Sequence, residues 1–197
     1  MPITRKTAPL SPEAYLEWEK ANETKHEYLN GDVFAMVGVK DSHATVALNL
    51  ASFLKNHLKG SPCRAYISDM KAQIAKANAF FYPDVMVTCD PRDIAFDYYK
   101  QHPLLIVEVL SESTAAFDRG AKFSVYRQIE SLQEYVLIDP DQPSVDSFRK
   151  DNQGHWVLYP YGSGETVEFA SVKAKIPLDD LYEGVAKMSG EPDTSVQ

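Results

Sequence analysis

Seven consecutive residues, Leu104-Leu105-Ile106-Val107-Glu108-Val109-Leu110, constrain the fold of this chain more than any others. A near-continuous apolar run of this length marks a strand buried on both faces, as in a sheet covered by helices. Its one interruption is a carboxylate. Burying an ionised glutamate without a partner costs several kcal/mol even after the surroundings relax. Glu108 must therefore be protonated, paired or bound to a cation. Strand alternation puts Ile106, Glu108 and Leu110 on one face and Leu105, Val107 and Val109 on the other. Glu108 also lies toward the C-terminal end of the run, where α/β sheets tend to place their sites.

The flanking sequence supplies the layers such a strand needs. A helix is expected over about residues 119–131, with Phe117, Ala121, Val125, Ile129 and Leu132 forming its apolar stripe, and residues 134–139 return as a second buried strand. Strand, helix, strand at this spacing implies a crossover with parallel pairing. Upstream, Ser11-Pro12-Glu13 reads as an N-cap followed by proline in the first turn, opening a helix to about Asn22 with Tyr15 and Trp18 on its apolar side. Asn30-Gly31 joins two strand-like runs as a tight hairpin. Val46, Leu50, Phe53, Leu54 and Leu58 recur at helical spacing over residues 42–58, and Gly60 supplies the stop. Residues 64–68, 71–75 and 84–89 read as strands. The polar, tyrosine-containing stretch 91–103 is expected to form a lid or flap. Strand-like pieces between 143 and 176, broken at Gly154 and at Gly162-Ser163-Gly164, predict a peripheral antiparallel sheet. The fold class is thus α/β, a central mixed sheet flanked by helices, in one domain over residues 1–190 with a disordered tail at 191–197.

Composition narrows the setting. A chain of 197 residues suffices for one substantial core. It contains no apolar run near the roughly 20 residues that span a bilayer. Met1-Pro2-Ile3-Thr4-Arg5-Lys6 lacks the apolar stretch of a secretory signal, so a cytoplasmic setting is expected. In that compartment Cys63 and Cys89 are expected as unpaired, buried small hydrophobes. The formal net charge of −8 opposes long-range attraction to phosphate backbones. Clustered carboxylates awaiting a divalent cation would contribute to that charge.

A second carboxylate sharpens the chemistry. Asp84 opens a strand directly after Pro83, which cannot donate to a ladder. Two carboxylates at the ends of adjacent strands suit Mg²⁺, which takes one or two of them and keeps several waters.

Pro83-Asp84, the stretch Glu108-Val109-Leu110-Ser111-Glu112-Ser113-Thr114, and then Asp118, Lys122 and Tyr126 resemble the bacterial Uma-two family. That family was formerly a domain of unknown function and belongs to the PD-(D/E)XK nuclease superfamily. The Glu27-Tyr28-Leu29-Asn30-Gly31-Asp32 hairpin and His43 are similar to the family's N-terminal pattern, so the resemblance covers roughly residues 10–185. It implies a restriction endonuclease-like core, with Asp84 and Glu108 as metal-binding catalytic acids and Mg²⁺, or Mn²⁺ in its place, as cofactor. The superfamily motif would place a lysine two residues after Glu108, where this chain has Leu110. Lys122 on the following helix is the substitute the resemblance implies. By residue chemistry alone, Asp118 and Lys122 could equally form a surface i,i+4 pair worth about 0.2–0.5 kcal/mol, and Asp118 could be a helix N-cap. Supporting roles are expected for Glu27, His43, Asp69, Ser111, Asp118 and Tyr126, with Ser111 and Thr114 also suited to bonding the loop into the helix. The expected activity is phosphodiester hydrolysis in DNA rather than RNA, with a homodimer suited to duplex cutting. The competing expectation is an inactive nuclease-fold module that binds or regulates. Glycoside hydrolysis by paired carboxylates has no other support in the sequence.

Overall fold

The computed structural model of the protein describes residues 9–185, so the tail expected at 191–197 lies outside the described residues. Helix α1 (Pro12–Lys20) leads into strands β1 (His26–Leu29) and β2 (Asp32–Ala35), then the long helix α2 (Asp41–His57). Six strands follow: β3 (Arg64–Ile67), β4 (Lys71–Ile74), β5 (Ala79–Phe81), β6 (Val85–Thr88), β7 (Tyr99–Lys100) and β8 (Pro103–Val109). The next helix, α3, is composite: an α turn (Ala115–Phe117), a wider π turn (Asp118–Lys122) and a second α turn (Phe123–Tyr126). The described residues continue through β9 (Glu134–Asp139), β10 (Ser144–Lys150), β11 (Trp156–Tyr161), β12 (Thr166–Phe169), β13 (Ala174–Pro177) and the short helix α4 (Leu178–Leu181).

Local chemistry sets the boundaries. Ser11 accepts from the Ala14 amide at 3.2 Å, and Pro12 takes the first helical position, where a missing N–H costs nothing. The β1–β2 turn places Asn30 and Gly31 at φ +52° and +97°, the left-handed pair that a two-residue hairpin requires. Gly31 carries a second constraint, because a Cβ there would stand 2.6 Å from the Cβ of Pro9. Gly31→Ala is expected to lose about 1–3 kcal/mol through combined backbone strain and overlap. A urea midpoint indistinguishable from the parent would contradict this account of the turn.

The main sheet runs β11-β10-β9-β8-β6-β3. Its central pair β8–β9 is parallel, as the crossover through α3 dictates, and its other neighbours are antiparallel. Alternation along β8 divides the core. Leu105, Val107 and Val109 pack with Val46, Leu50 and Leu54 of α2, whereas Ile106 and Leu110 pack with Phe123 and Tyr126 of α3. A second sheet, β2-β1-β5-β4-β7, meets the α3 side through Phe81 and Ile74.

Several expectations change. The lid expected at 91–103 is instead pinned. Asp93 is buried and accepts from Thr88 Oγ1 at 2.6 Å and the Gln101 amide at 2.8 Å, and Lys100 Nζ donates to the Asp93 carbonyl at 2.9 Å. The strands at 64–67 and 71–74 belong to different sheets, and β5 was not anticipated at all, being only three residues long. In the C-terminal third, β10 and β11 extend the main sheet; only β12 and β13 form a separate antiparallel pair. Cys63 and Cys89, expected as free thiols, form a disulfide. The β3–β6 register, which pairs Arg64 with Thr88, sets them opposite each other one step further on. Sequence spacing carries no trace of that register.

Candidate active site

The register that builds the sheet also builds the site. β6 and β8 pair Val85 with Val107, so the next step outward brings Asp84 beside Glu108 at the end of the sheet. Pro83 leaves Asp84 just ahead of the ladder, and Asp84 Oδ2 accepts from the Val109 amide at 2.7 Å. The second sheet contributes Glu27 from β1, whose Oε1 accepts from the Tyr82 amide at 3.1 Å. Helix α2 contributes His43 from its first turn, with Nε2 at 3.3 Å from Asp84 Oδ2.

Helix α3 brings the cation. Its π turn holds one more residue per turn than an α-helix, a rare form that concentrates at functional sites. Asp118 and Lys122 bound that turn, and both are buried against the sheet. The alternatives of a surface ion pair and of an N-cap at Asp118 are therefore both set aside; the helix starts three residues earlier, at Ala115. Lys122 Nζ lies 2.9 Å from Glu108 Oε1, 3.0 Å from Glu27 Oε1 and 3.6 Å from Asp118 Oδ1. Tyr126, one turn on, donates its hydroxyl to Glu108 Oε1 at 2.9 Å.

The electrostatics follow from three carboxylates, Glu27, Glu108 and Asp118, crowding one ammonium, with Asp84 adding its charge beside Glu108. Burial pulls the Lys122 pKa down, but Glu108, Glu27 and Asp118 outweigh it and hold the pKa well above the ordinary value. Lys122 is thus a fixed positive charge and cannot serve as a base at neutral pH. Burial pushes the Glu108 carboxyl up; Lys122 opposes this, but Asp118, Asp84 and Glu27 add to the rise. For His43, burial favours the neutral ring, yet Asp84, together with the Val109 backbone and Asp118, offsets it and the pKa is raised.

These groups line a cleft of about 460 Å³. Its walls are the loop at 34–40 and the turn at 111–114, joined across the rim by Lys40 Nζ and Glu112 Oε1 at 2.7 Å. The apolar wall formed by Phe34, Met36, Val37 and Val39 was not anticipated, although Val37-Gly38-Val39 between a hairpin and a helix is an unusual apolar loop. Ser111 also lines the cleft and bonds Thr114 Oγ1 at 2.9 Å, as the turn chemistry suggested. Asp69 does not join the site. It sits at the β3–β4 turn, exposed and paired with Lys25, because β4 belongs to the other sheet.

The donor set can be tested against a divalent ion. Among the described residues no three His, Cys, Asp or Glu side chains converge into a complete cage. A hard cation that retains several waters needs only one or two carboxylates, which Asp84 and Glu108 supply. Glu27 Oε2 is buried with no hydrogen-bond partner among the described residues, and the carboxylates outnumber the cations. Such uncompensated negative charge and a bare carboxylate oxygen fit a bound cation.

A sequence model of the Uma2 family, described as "Putative restriction endonuclease", matches residues 12–177. Two proteins of Synechocystis sp. (strain ATCC 27184 / PCC 6803 / Kazusa) are similar over most of their lengths. "Uncharacterized protein slr1290" is 39% identical over 177 residues, covering 90% of this chain and 93% of that protein. "Uncharacterized protein sll1609" is 32% identical over 176 residues, covering 88% and 99%. Among solved structures, that of "a putative nuclease belonging to DUF820" from Anabaena variabilis ATCC 29413 has a TM-score of 0.72 at 17% identity. The match covers 88% of this chain and 98% of that one. At that identity the likeness is one of fold.

Proposed function

This chain belongs to the Uma2 family, described as "Putative restriction endonuclease", and we propose that it is a metal-dependent nuclease that hydrolyses phosphodiester bonds in DNA. The observation that carries the reading is the convergence of Glu108, Glu27 and Asp118 on Lys122, with Asp84 one register step away, all in one cleft. Asp84 and Glu108 would hold the ion, Mg²⁺ or Mn²⁺. When bound, such an ion supplies Lewis acidity toward water and toward phosphate oxygens.

The chain's own residues do the rest. Asp84 is held by the Val109 amide, so its second oxygen is free to face the cleft. Tyr126 holds Glu108 by its hydroxyl, which fixes the carboxylate's orientation. Lys122 is a permanent charge, suited to offsetting the negative charge that builds on a phosphate during in-line attack. This ammonium, arriving from the next helix, does the work for which Leu110 is unsuited. The apolar wall at 34–40 narrows the cleft and limits bulk water around the scissile bond. A homodimer, placing two such clefts on one duplex, accords with this activity.

The test is cleavage of supercoiled plasmid and of a matched RNA by protein stripped with a chelator, then supplied with Mg²⁺ or Mn²⁺. DNA cleavage that returns with the ion and is missing in Glu108→Ala is the expected result. Wild-type protein that cleaves neither substrate with either ion would favour an inactive binding module.

A further inference from the structure

The cleft over Lys122 has a recessed floor, an acidic rim and one apolar wall, and each property bears on what can enter it. We propose that it receives a DNA strand as an unpaired nucleotide, the base lying on the wall of Phe34, Met36, Val37 and Val39 and the phosphate reaching Lys122. Single strands and locally opened duplex are then the substrates, and continuous duplex is not. Negatively supercoiled plasmid, which opens locally under torsion, stays within that class. This rests on the nuclease reading of the site and narrows its substrate.

Depth and size come first. Glu108 and Lys122 are 3% and 4% exposed, so a phosphate meets them only by descending below the surface. A duplex is a stiff rod with a persistence length of about 50 nm, which resists bending one phosphate inward. The cleft volume of about 460 Å³ is that of a pocket enclosing one small molecule. Its rim is also tied: Lys40 Nζ meets Glu112 Oε1 at 2.7 Å, and Ser42 Oγ donates to Asp141 Oδ1 at 3.0 Å. Enzymes that must reach inside a duplex meet the same obstacle and extrude the nucleotide into a pocket.

Charge comes second. Glu27, Asp84, Glu108, Glu112, Asp118 and Asp141 line the cleft, against Lys40 and Lys122. Lys40 is already engaged by Glu112 and Asp141. Duplex binders draw their affinity from many Lys and Arg contacts to phosphate, and this cleft does not offer them. The hold on a strand must come from its uncharged part, the base.

The wall stands where a base would need it. The β1–β2 register pairs Phe34 with Glu27, so both side chains project from one face. Glu27 Oε1 in turn lies 3.0 Å from Lys122 Nζ. A base laid on Phe34 therefore sits beside the carboxylate that holds the ammonium. Val37 and Val39 extend the wall and are 68% and 55% exposed, so the core gains little from them. Stacking on an aromatic ring tolerates any base, because every base has a π-face.

The test offers one DNA sequence in three labelled forms, with Mg²⁺ or Mn²⁺: single strand, complete duplex, and duplex with a central unpaired bubble. Wild-type protein should cut the first and third about tenfold or more faster than the complete duplex, with cuts in the third confined to the bubble. Phe34→Ala should raise KM for the single strand about fivefold or more, and Phe34→Tyr, which keeps the ring, should restore it. Val37→Asp, at an exposed position, should raise KM similarly with its urea midpoint unchanged. Complete duplex cut as fast as the single strand, or wild-type KM in both Phe34→Ala and Val37→Asp, overturns the unpaired-strand inference and leaves the nuclease reading standing. Wild-type protein that cuts none of the three forms with either ion overturns both.

Discussion

Replacing Lys122 with methionine is expected to destabilise the protein by about 3–5 kcal/mol at neutral pH, the loss that follows when one partner of a buried ion cluster is removed. The side chain is 5% exposed, so solvent screens little of its attraction for Glu108 and Glu27. Methionine keeps most of the volume and removes the charge, leaving buried carboxylates to repel one another. A second substitution, Glu108→Gln, should then recover part of the loss by removing one of those charges. The pH dependence has a definite sign. Glu108 already binds its proton more tightly than an ordinary glutamate, and without Lys122 that tendency grows. The folded variant therefore holds more protons than the unfolded chain above the ordinary carboxylate pKa of about 4.3. Its stability should fall as pH rises across that range, and the gap to wild type should narrow as pH drops from 7 toward 5. Denaturant midpoints at both pH values would decide it. A Lys122→Met variant as stable as the parent at pH 7 would mean that the ammonium does not sit among the carboxylates.

Much of this arrangement was legible in the residues. A carboxylate inside an apolar strand announced that Glu108 needed a partner, because the desolvation penalty admits few alternatives. The alternation along that strand assigned Glu108 to one face, and the helical stripe through Phe117, Ala121, Val125 and Ile129 put Lys122 at its border. Those are local signals, and local periodicity survives into the fold. Burial of the Asp118–Lys122 pair was not legible. Spacing alone also fits an unremarkable surface pair, whereas here both lie in a π turn and are buried. No residue type marks such a turn in advance.

Long-range register was equally silent. That Asp84 meets Glu108 depends on β6 pairing with β8 as Val85↔Val107, and a slip of one residue would carry Asp84 out of step with Glu108. The same silence hid the Cys63–Cys89 bond and the division of β3 and β4 between sheets. Asp69 illustrates the cost. Read along the chain it is one more acid between two strands, but β4 leaves for the second sheet and carries that turn to solvent. Glu134 shows the reverse case. A fully buried acid that looks catalytic by burial alone, it instead accepts from Ser147, Arg149 and Ser171 and fastens the β12–β13 pair to the main sheet. What separates it from Glu108 is satisfaction: both oxygens of Glu134 accept hydrogen bonds, whereas Glu108 shares one ammonium with competing carboxylates.

Asp84→Asn should abolish cleavage and leave the fold intact. Asparagine keeps an oxygen for the Val109 amide, so the short bond at 2.7 Å has a neutral replacement. It removes a negative charge near Glu108 and also the partner of His43; these act in opposite directions, and a stability change within about 1 kcal/mol is expected. The chemical step loses far more. Weakening the hold on an ion worth about 4 kcal/mol of transition-state stabilisation lowers the rate about 10³-fold. Asp84→Ala makes the informative contrast. It should lose cleavage to the same extent, and it should also lose about 1–3 kcal/mol of stability by leaving the Val109 amide without an acceptor. Equal activities with unequal stabilities would separate the carboxylate's chemical role from its structural one. Asp84→Asn retaining wild-type cleavage would remove Asp84 from the catalytic apparatus, and with it the case that the β6–β8 register exists to assemble a metal site.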